Sequence, residues 1–261
     1  FMIVLGLILP VGSMLAWKRG SLSRVTRQLV PAFVLAVALA GLVWSMQTGR
    51  TLLGPVGVFL GTWVIAGALT DLWSRTGQKR EVSRLLRLPR ADWGKALAHA
   101  GLGITMFGVV TLTGYQVEDI RVAREGEPYV VGAYEVELLG VDENGRGPNY
   151  FSTMASVAVR DAETGREIAV LTPERRIYPV AGMPTTEAGI NNGFTRDVYV
   201  TLGDPQSGGG WALRVWIKPF ANWIWGGTII MALGGLMSLS DRRYRVAAGA
   251  AKAPRAGVPA E

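Results

Sequence analysis

The chain has one histidine, His99, and it lies inside an uncharged apolar run, Ala96-Leu97-Ala98-His99-Ala100-Gly101-Leu102-Gly103-Ile104. An ionisable side chain in hydrocarbon is costly, so by default it marks a functional position. There is no cysteine, so metal or haem-iron chemistry based on nitrogen ligands must pass through this imidazole. Two readings stand. Its small neighbours Ala98, Ala100, Gly101 and Gly103 let a planar macrocycle approach the helix and bring iron to a ring nitrogen; equally, a neutral histidine can hydrogen-bond to a neighbouring helix. Lys95, one turn earlier on the same face, reaches either a haem propionate or the lipid headgroups. Met106, Met231 and Met237 are soft donors that transmembrane helices more often use for packing. A zinc site of three or four ligands needs carboxylates that this helix does not offer, and no Gly-x-Ser-x-Gly elbow supports serine hydrolase chemistry.

The elements that must position His99 are membrane helices. Hydrophobic residues make up 49% of the chain, and the charges are gathered into a few links. A span needs about 17 to 25 mostly apolar residues. Five segments approach this: Phe1 to Trp17, Leu29 to Met46, Leu52 to Leu69, Trp93 to Tyr115 and Phe220 to Ser240. Pro10 and Pro31 fall where they could kink two of them. The net charge of +7 sits in alternate links: Lys18, Arg19, Arg24 and Arg27; then Arg75, Lys79, Arg80, Arg84, Arg87 and Arg90; then Arg242, Arg243, Arg245, Lys252 and Arg255. The link from Gln47 to Thr51 carries only Arg50. By the positive-inside rule the basic links are cytoplasmic and the segment between spans four and five is external. The basic excess is thus an orientation signal, with membrane lipid as partner and nucleic acid not expected. His99 falls about seven residues, roughly 10 Å, inside the cytoplasmic edge at 1.5 Å rise per residue.

The fold class expected is a polytopic α-helical membrane protein with an inserted β-rich domain. Residues 1–115 hold four transmembrane helices, 116–217 the β-rich domain, 218–240 the last helix and 241–261 a basic, disordered cytoplasmic tail. The insert reads as a sandwich or barrel from short alternating runs: Tyr134 to Leu138, Ser156 to Val159, Glu167 to Leu171, Asp197 to Leu202 and Trp211 to Trp216. Asn144-Gly145, Thr164-Gly165, Asn192-Gly193 and Ser207 to Gly210 read as turns. The chain opens on Phe1 within an apolar run, as the C-terminal piece of a longer protein would.

Three runs in the last third are the most specific. Pro173-Glu174-Arg175-Arg176-Ile177-Tyr178-Pro179-Val180-Ala181-Gly182-Met183-Pro184-Thr185-Thr186-Glu187 is followed by Arg196-Asp197-Val198-Tyr199-Val200-Thr201-Leu202-Gly203-Asp204, then by Lys218-Pro219-Phe220-Ala221-Asn222-Trp223-Ile224-Trp225. In this order, ahead of a last helix ending in Asp241-Arg242-Arg243-Tyr244-Arg245 and behind Leu97-Ala98-His99-Ala100-Gly101, they resemble the C-terminal part of CcmF. That family comprises the cytochrome c-type biogenesis proteins of the bacterial haem-ligation pathway. The resemblance covers most of the chain.

The resemblance implies a multi-pass protein of the bacterial inner membrane, its β-rich domain in the periplasm, forming part of the haem lyase that attaches haem to apocytochrome c. It implies a haem b held between two transmembrane histidines, His99 being the second, with Lys95, Gly101 and Gly103 at a propionate or pocket. Partners implied are the haem chaperone CcmE, a CcmH-type subunit, apocytochrome c, and the N-terminal part of the same protein or a split-gene subunit. The family's tryptophan-rich segment, its external histidines and its first transmembrane histidine are absent from this chain, so this piece is not a complete catalyst. Arg176, Tyr178, Pro179, Pro184, Thr185, Thr186, Glu187, Arg196, Asp197, Lys218, Pro219 and Trp223 are motif positions for positioning or docking. Taken singly they also serve plain structure: Pro179, Gly182 and Pro184 shape a turn, Glu187 pairs with Arg176 or Arg196, and Trp223 and Trp225 anchor at the outer membrane surface, whereas Arg196 and Lys218 could hold a carboxylate or propionate. The rival readings are a structural docking subunit without haem, or a fragment of a transporter.

Overall fold

A computed structural model describes residues 2–15, 20–47, 51–77, 82–180 and 182–241. The expected tail beyond residue 241 and the loop cations Lys18, Arg19, Arg50, Lys79 and Arg80 lie outside the described residues. The chain divides into two units, one holding Phe1–Val110 with Trp223–Glu261 and the other Thr111–Asn222.

The first unit is helical: α1 (Met2–Met14), α2 (Leu22–Met46), α3 (Leu53–Ser74), the single turn α4 (Val82–Leu85), α5 (Arg90–Tyr115) and α6 (Ala221–Leu239). Among the described residues, α2, α3, α5 and α6 are long and apolar enough to cross a membrane, while α1 is a shorter apolar helix of 13 residues. Five expected spans are therefore four long helices and one of about 20 Å. Pro10, expected as a kink, packs its ring against Gly67 of α3.

Val25, Leu29, Ala32 and Ala36 recur at helical spacing along α2 and bury against Trp63 and Val64 of α3. The Trp63 indole donates to the Leu7 carbonyl of α1 at 3.2 Å. Helices α5 and α6 meet through glycine. A Cβ on Gly94 would lie 2.5 Å from the Gly234 carbonyl oxygen, and one on Gly101 2.5 Å from that of Gly227. The reverse approaches, from Gly234 to Gly94 and from Gly227 to Gly101, are 2.6 Å. The two pairs recur every seven residues on antiparallel helices, so the backbones touch where any side chain would part them.

The second unit contains strands β1 (Val117–Ala123), β2 (Tyr129–Val131), β3 (Tyr134–Arg146), β4 (Phe151–Asp161), β5 (Glu167–Leu171), β6 (Glu174–Ile177), β7 (Pro184–Glu187), β8 (Gly189–Asn191), β9 (Arg196–Pro205) and β10 (Trp211–Pro219). One sheet runs β1-β10-β9-β8; the other runs β2-β3-β4-β6-β7, with β5 also on β4. Pro173 separates β5 from β6 along the same partner strand, because proline has no N–H to donate, while its carbonyl accepts from Ala155 at 3.0 Å. Alternate residues of both sheets, Val136, Leu138, Val157 and Val159 from one and Val198, Val200, Leu213 and Val215 from the other, are fully buried in a common core. The architecture is a sandwich.

The five expected strands are present, each extended at one or both ends except β5. The Asn144-Gly145 turn is not: β3 runs through it to Arg146 with a bulge between Asp142 and Gly145, which absorbs the glycine without reversing the chain. The strands β1, β2, β6, β7 and β8 carry weak signals because most are short edges with exposed positions.

The glycine contacts give a direct test. Gly101→Leu should destabilise the helical unit by about 1–3 kcal/mol through overpacking, read as a lower midpoint in detergent thermal unfolding. Gly226→Leu, on the same helix as Gly227 but with open space around its Cβ, should leave the midpoint unchanged.

Candidate functional site

His99 is half-buried on α5, and its face is defined by its neighbours at helical spacing. Lys95, Gly103 and Met106 lie on that face, four residues before, four after and seven after. Each touches α1 or α3: Lys95 pairs with Asp71 of α3 and donates to the Ser13 carbonyl of α1 at 3.4 Å, Gly103 abuts Gly61 and Ile65 of α3, and Met106 lies against Gly6 of α1. The opposite face, with Gly94, Ala98, Gly101 and Thr105, is the one packed on α6. His99 thus looks toward the α1 and α3 side. Gly101 and Gly103, expected near a macrocycle, both sit at helix contacts, on opposite sides of α5.

Sequence reasoning missed Asp71. It is 3% exposed near the end of α3, where it takes the Lys95 ammonium and, at 3.3 Å, the Arg75 guanidinium. Arg75 also holds Asp92 at 2.7 Å. Its signal in the sequence is a carboxylate two residues past an apolar run, which marks the edge of a span and says nothing of a partner in Lys95.

In the sandwich, the motif residues form two clusters. Arg176 donates to Glu174 from Nε at 2.9 Å and Nη2 at 2.6 Å, pairs with Glu187 at 3.2 Å, and lies 4.6 Å over the Tyr150 ring. Tyr178 stacks on Tyr150 with centroids 5.5 Å apart. The Arg176 hydrogen bonds hold the Glu174 carboxyl below its ordinary value, and Glu174 in turn raises that of Arg176. Thr185 and Thr186 stand opposite Arg176 and Arg175 in the β6–β7 hairpin. Pro179, Pro184, Thr185, Thr186 and Glu187 are all exposed. Gly182 has φ of 65°, and its N–H closes the hairpin loop on the Tyr178 carbonyl at 2.9 Å. Glu187 takes Arg176 as partner, and not Arg196.

The second cluster joins Arg196, Asp197, Lys218 and Pro219, which are register neighbours on β9 and β10. Arg196 donates to the Tyr134 hydroxyl and to Asn191 Oδ1, each at 2.7 Å, beside an open polar cleft of about 490 Å³. Asp197 is 3% exposed and accepts from the Gly193 N–H at 3.0 Å and from Asn222 Nδ2 at 2.9 Å. Next to it Phe220 takes φ of 53°, its N–H bonded to the Thr195 carbonyl at 2.9 Å. Asp197 is thus a structural acceptor that fixes the loop after β8 and the chain leaving β10. The Lys218 ammonium lies 3.8 Å over the Tyr199 ring and 5.6 Å from that of Trp216. Trp223, in the helical unit, packs on Phe107 with centroids 5.2 Å apart. Tyr134 and Asn191, which complete these clusters, lie outside the three runs, and Glu174 and Asn222 lie within them without being among the motif positions.

No nucleophile–base pair forms in either cluster among the described residues. Their chemistry is that of hydrogen-bonded and cation–π scaffolding. Asp197→Ala should leave two donors without their acceptor and cost about 1–3 kcal/mol for each that stays buried. Urea unfolding of the sandwich followed by far-UV circular dichroism checks this, with Asp197→Asn, which keeps an acceptor oxygen, closer to the parent.

Comparison with known proteins adds the context. Residues 114–219 match the family model described as the CcmF C-terminal beta-sandwich. The chain is 55% identical over 253 residues, 97% of its length, to the cytochrome c-type biogenesis protein ccl1 of Rhodobacter capsulatus, and covers 38% of that protein. It is 42% identical over 256 residues, 96% of its length, to the cytochrome c-type biogenesis protein CycK of Bradyrhizobium diazoefficiens, again covering 38%. Among solved structures, the cytochrome c heme lyase CcmF is similar in fold, with a TM-score of 0.69 at 22% identity over 91% of this chain and 38% of that one.

Proposed function

The chain corresponds to the C-terminal part of the CcmF family of cytochrome c-type biogenesis proteins, and from that premise we propose that it serves cytochrome c maturation as the portion of a haem lyase that supplies one axial ligand of an intramembrane haem b. The observation that carries this reading is the placement of the only imidazole of the chain: half-buried, on a span-length helix, in a segment alignable over nearly the whole chain with proteins of that name. The donor set suits a porphyrin iron. Among the described residues no three His, Cys, Asp or Glu side chains gather as a bare ion would need, whereas a porphyrin brings four nitrogens and asks the protein for axial ligands alone. When bound, the haem supplies electron transfer. His99 would be the residue of this chain that holds the haem iron, with the remaining protein ligation supplied from elsewhere.

On this reading the sandwich is external, in the periplasm of a bacterial inner-membrane protein, since the links richest in Lys and Arg flank the opposite helix ends. The Arg176 hairpin and the Arg196 cluster then act as rigid surfaces that position or dock partners, namely the haem chaperone CcmE, a CcmH-type subunit and apocytochrome c. The hairpin is stiffened by ion pairs and the Arg196 cluster by hydrogen bonds and cation–π contacts, and the catalytic groups come from the remaining part of the protein.

Two experiments test the reading. A reporter fused near Asn144 should report an external location, and a cytoplasmic signal would sink the topology. In the complex purified from its native membrane, His99→Ala should abolish the b-type spectrum while the protein stays in the membrane, whereas Thr185→Ala should keep that spectrum and lower cytochrome c yield only partly. Full haem content in the His99 variant would reduce that residue to packing.

A further inference from the structure

The buried carboxylate of Asp71 does more than staple helices. It holds Lys95 from α5, Lys95 also reaches Ser13 of α1, and Arg75 bridges Asp71 to Asp92 at the start of α5. Two carboxylates and two cations thus balance one another where α1, α3 and α5 meet. Within this group Asp71 is the most enclosed, with its side chain 5% exposed against 28% for Lys95. Lys95 stands one turn before His99 on the same face of α5. Buried charges interact over several ångströms with little screening, so this pair lies within electrostatic reach of whatever His99 holds.

Position and field therefore come from the same contact. The glycine pairs fix α5 against α6 on one side, and the Asp71–Lys95 pair fixes its rotation against α3 on the other. A buried ion pair is a poor source of net stability, because desolvation offsets much of its attraction. Its placement beside the single imidazole calls for another role. We propose that Asp71 and Lys95 set the electron affinity of the haem iron ligated by His99, with Asp71 acting as a positioning residue through Lys95; this rests on the haem-ligand reading above.

Sign distinguishes this from simple stapling. The Lys95 cation favours the reduced iron, which carries one positive charge fewer, and Asp71 offsets that preference. Removing the Asp71 charge leaves Lys95 and Arg75 in excess and raises the midpoint potential. Removing the Lys95 charge leaves Asp71 and Asp92 in excess and lowers it. Loosened helices would instead admit water in both variants and move both potentials the same way.

The experiment is a spectroelectrochemical titration of the b-type haem in the complex purified from its native membrane, comparing the parent with Asp71→Asn, Lys95→Gln and the double variant. The expected result is opposite shifts in the two single variants, with the double variant returning toward the parent. The double variant is neutral at both positions and keeps a polar amide at each, so it remains informative if an unbalanced single variant assembles poorly. Unchanged potentials, or shifts of one sign in all three, overturn the inference while leaving His99 as a ligand. A parent complex without b-type haem overturns both.

Discussion

Charge inside hydrocarbon must be compensated by the protein, and the helical unit is organised around that requirement. Asp71 is acceptable near the end of α3 because Lys95 and Arg75 reach it, and Lys95 is acceptable one turn from His99 because Asp71 and the Ser13 carbonyl receive it. Remove one member and a neighbour is left as an unpaired ion in a low-dielectric setting, which costs far more than the pair gains. The orientation of α5, and with it the direction of the imidazole, follows from this local neutrality.

A second constraint completes the first. Lipid supplies no hydrophobic drive between helices, so α5 and α6 associate by backbone contact through Gly94, Gly101, Gly227 and Gly234. At the Arg90 end of α5, Asp241 Oδ2 accepts from the Ala91 N–H at 3.1 Å, occupying one of the donors that a helix N-terminus leaves open. With one face of α5 committed to α6 and the other to α1 and α3, the rotation of the helix that carries His99 is fixed. In the sandwich, Asp197 and Arg176 do the corresponding work through directional hydrogen bonds that fix the loops.

The sequence carried these features unequally. The long helices were legible because composition alone marks a span, and the central strands were legible because β9 and β10 alternate between core and surface residue by residue. His99 stood out as the one imidazole in an apolar run. The short strands β7 and β8 were not legible, since Pro184-Thr185-Thr186-Glu187 has no buried face to impose a period. Asn144-Gly145 misled because a bulge and a turn use the same residues. Asp71 was overlooked for a deeper reason: its partner Lys95 lies on another helix, and pairing across helices leaves no local pattern. The glycines illustrate the same limit, for composition shows that they are small but not that Gly101 faces α6 while Gly103 faces α3.

The central claim is that His99 is itself an iron ligand and not a polar residue beside one. Replacing His99 by methionine in the native complex and reading the axial ligands by near-infrared magnetic circular dichroism tests it most directly. The account predicts that a signature of two nitrogen ligands becomes one of nitrogen and sulfur. A spectrum that keeps two nitrogen ligands after His99→Met would contradict it.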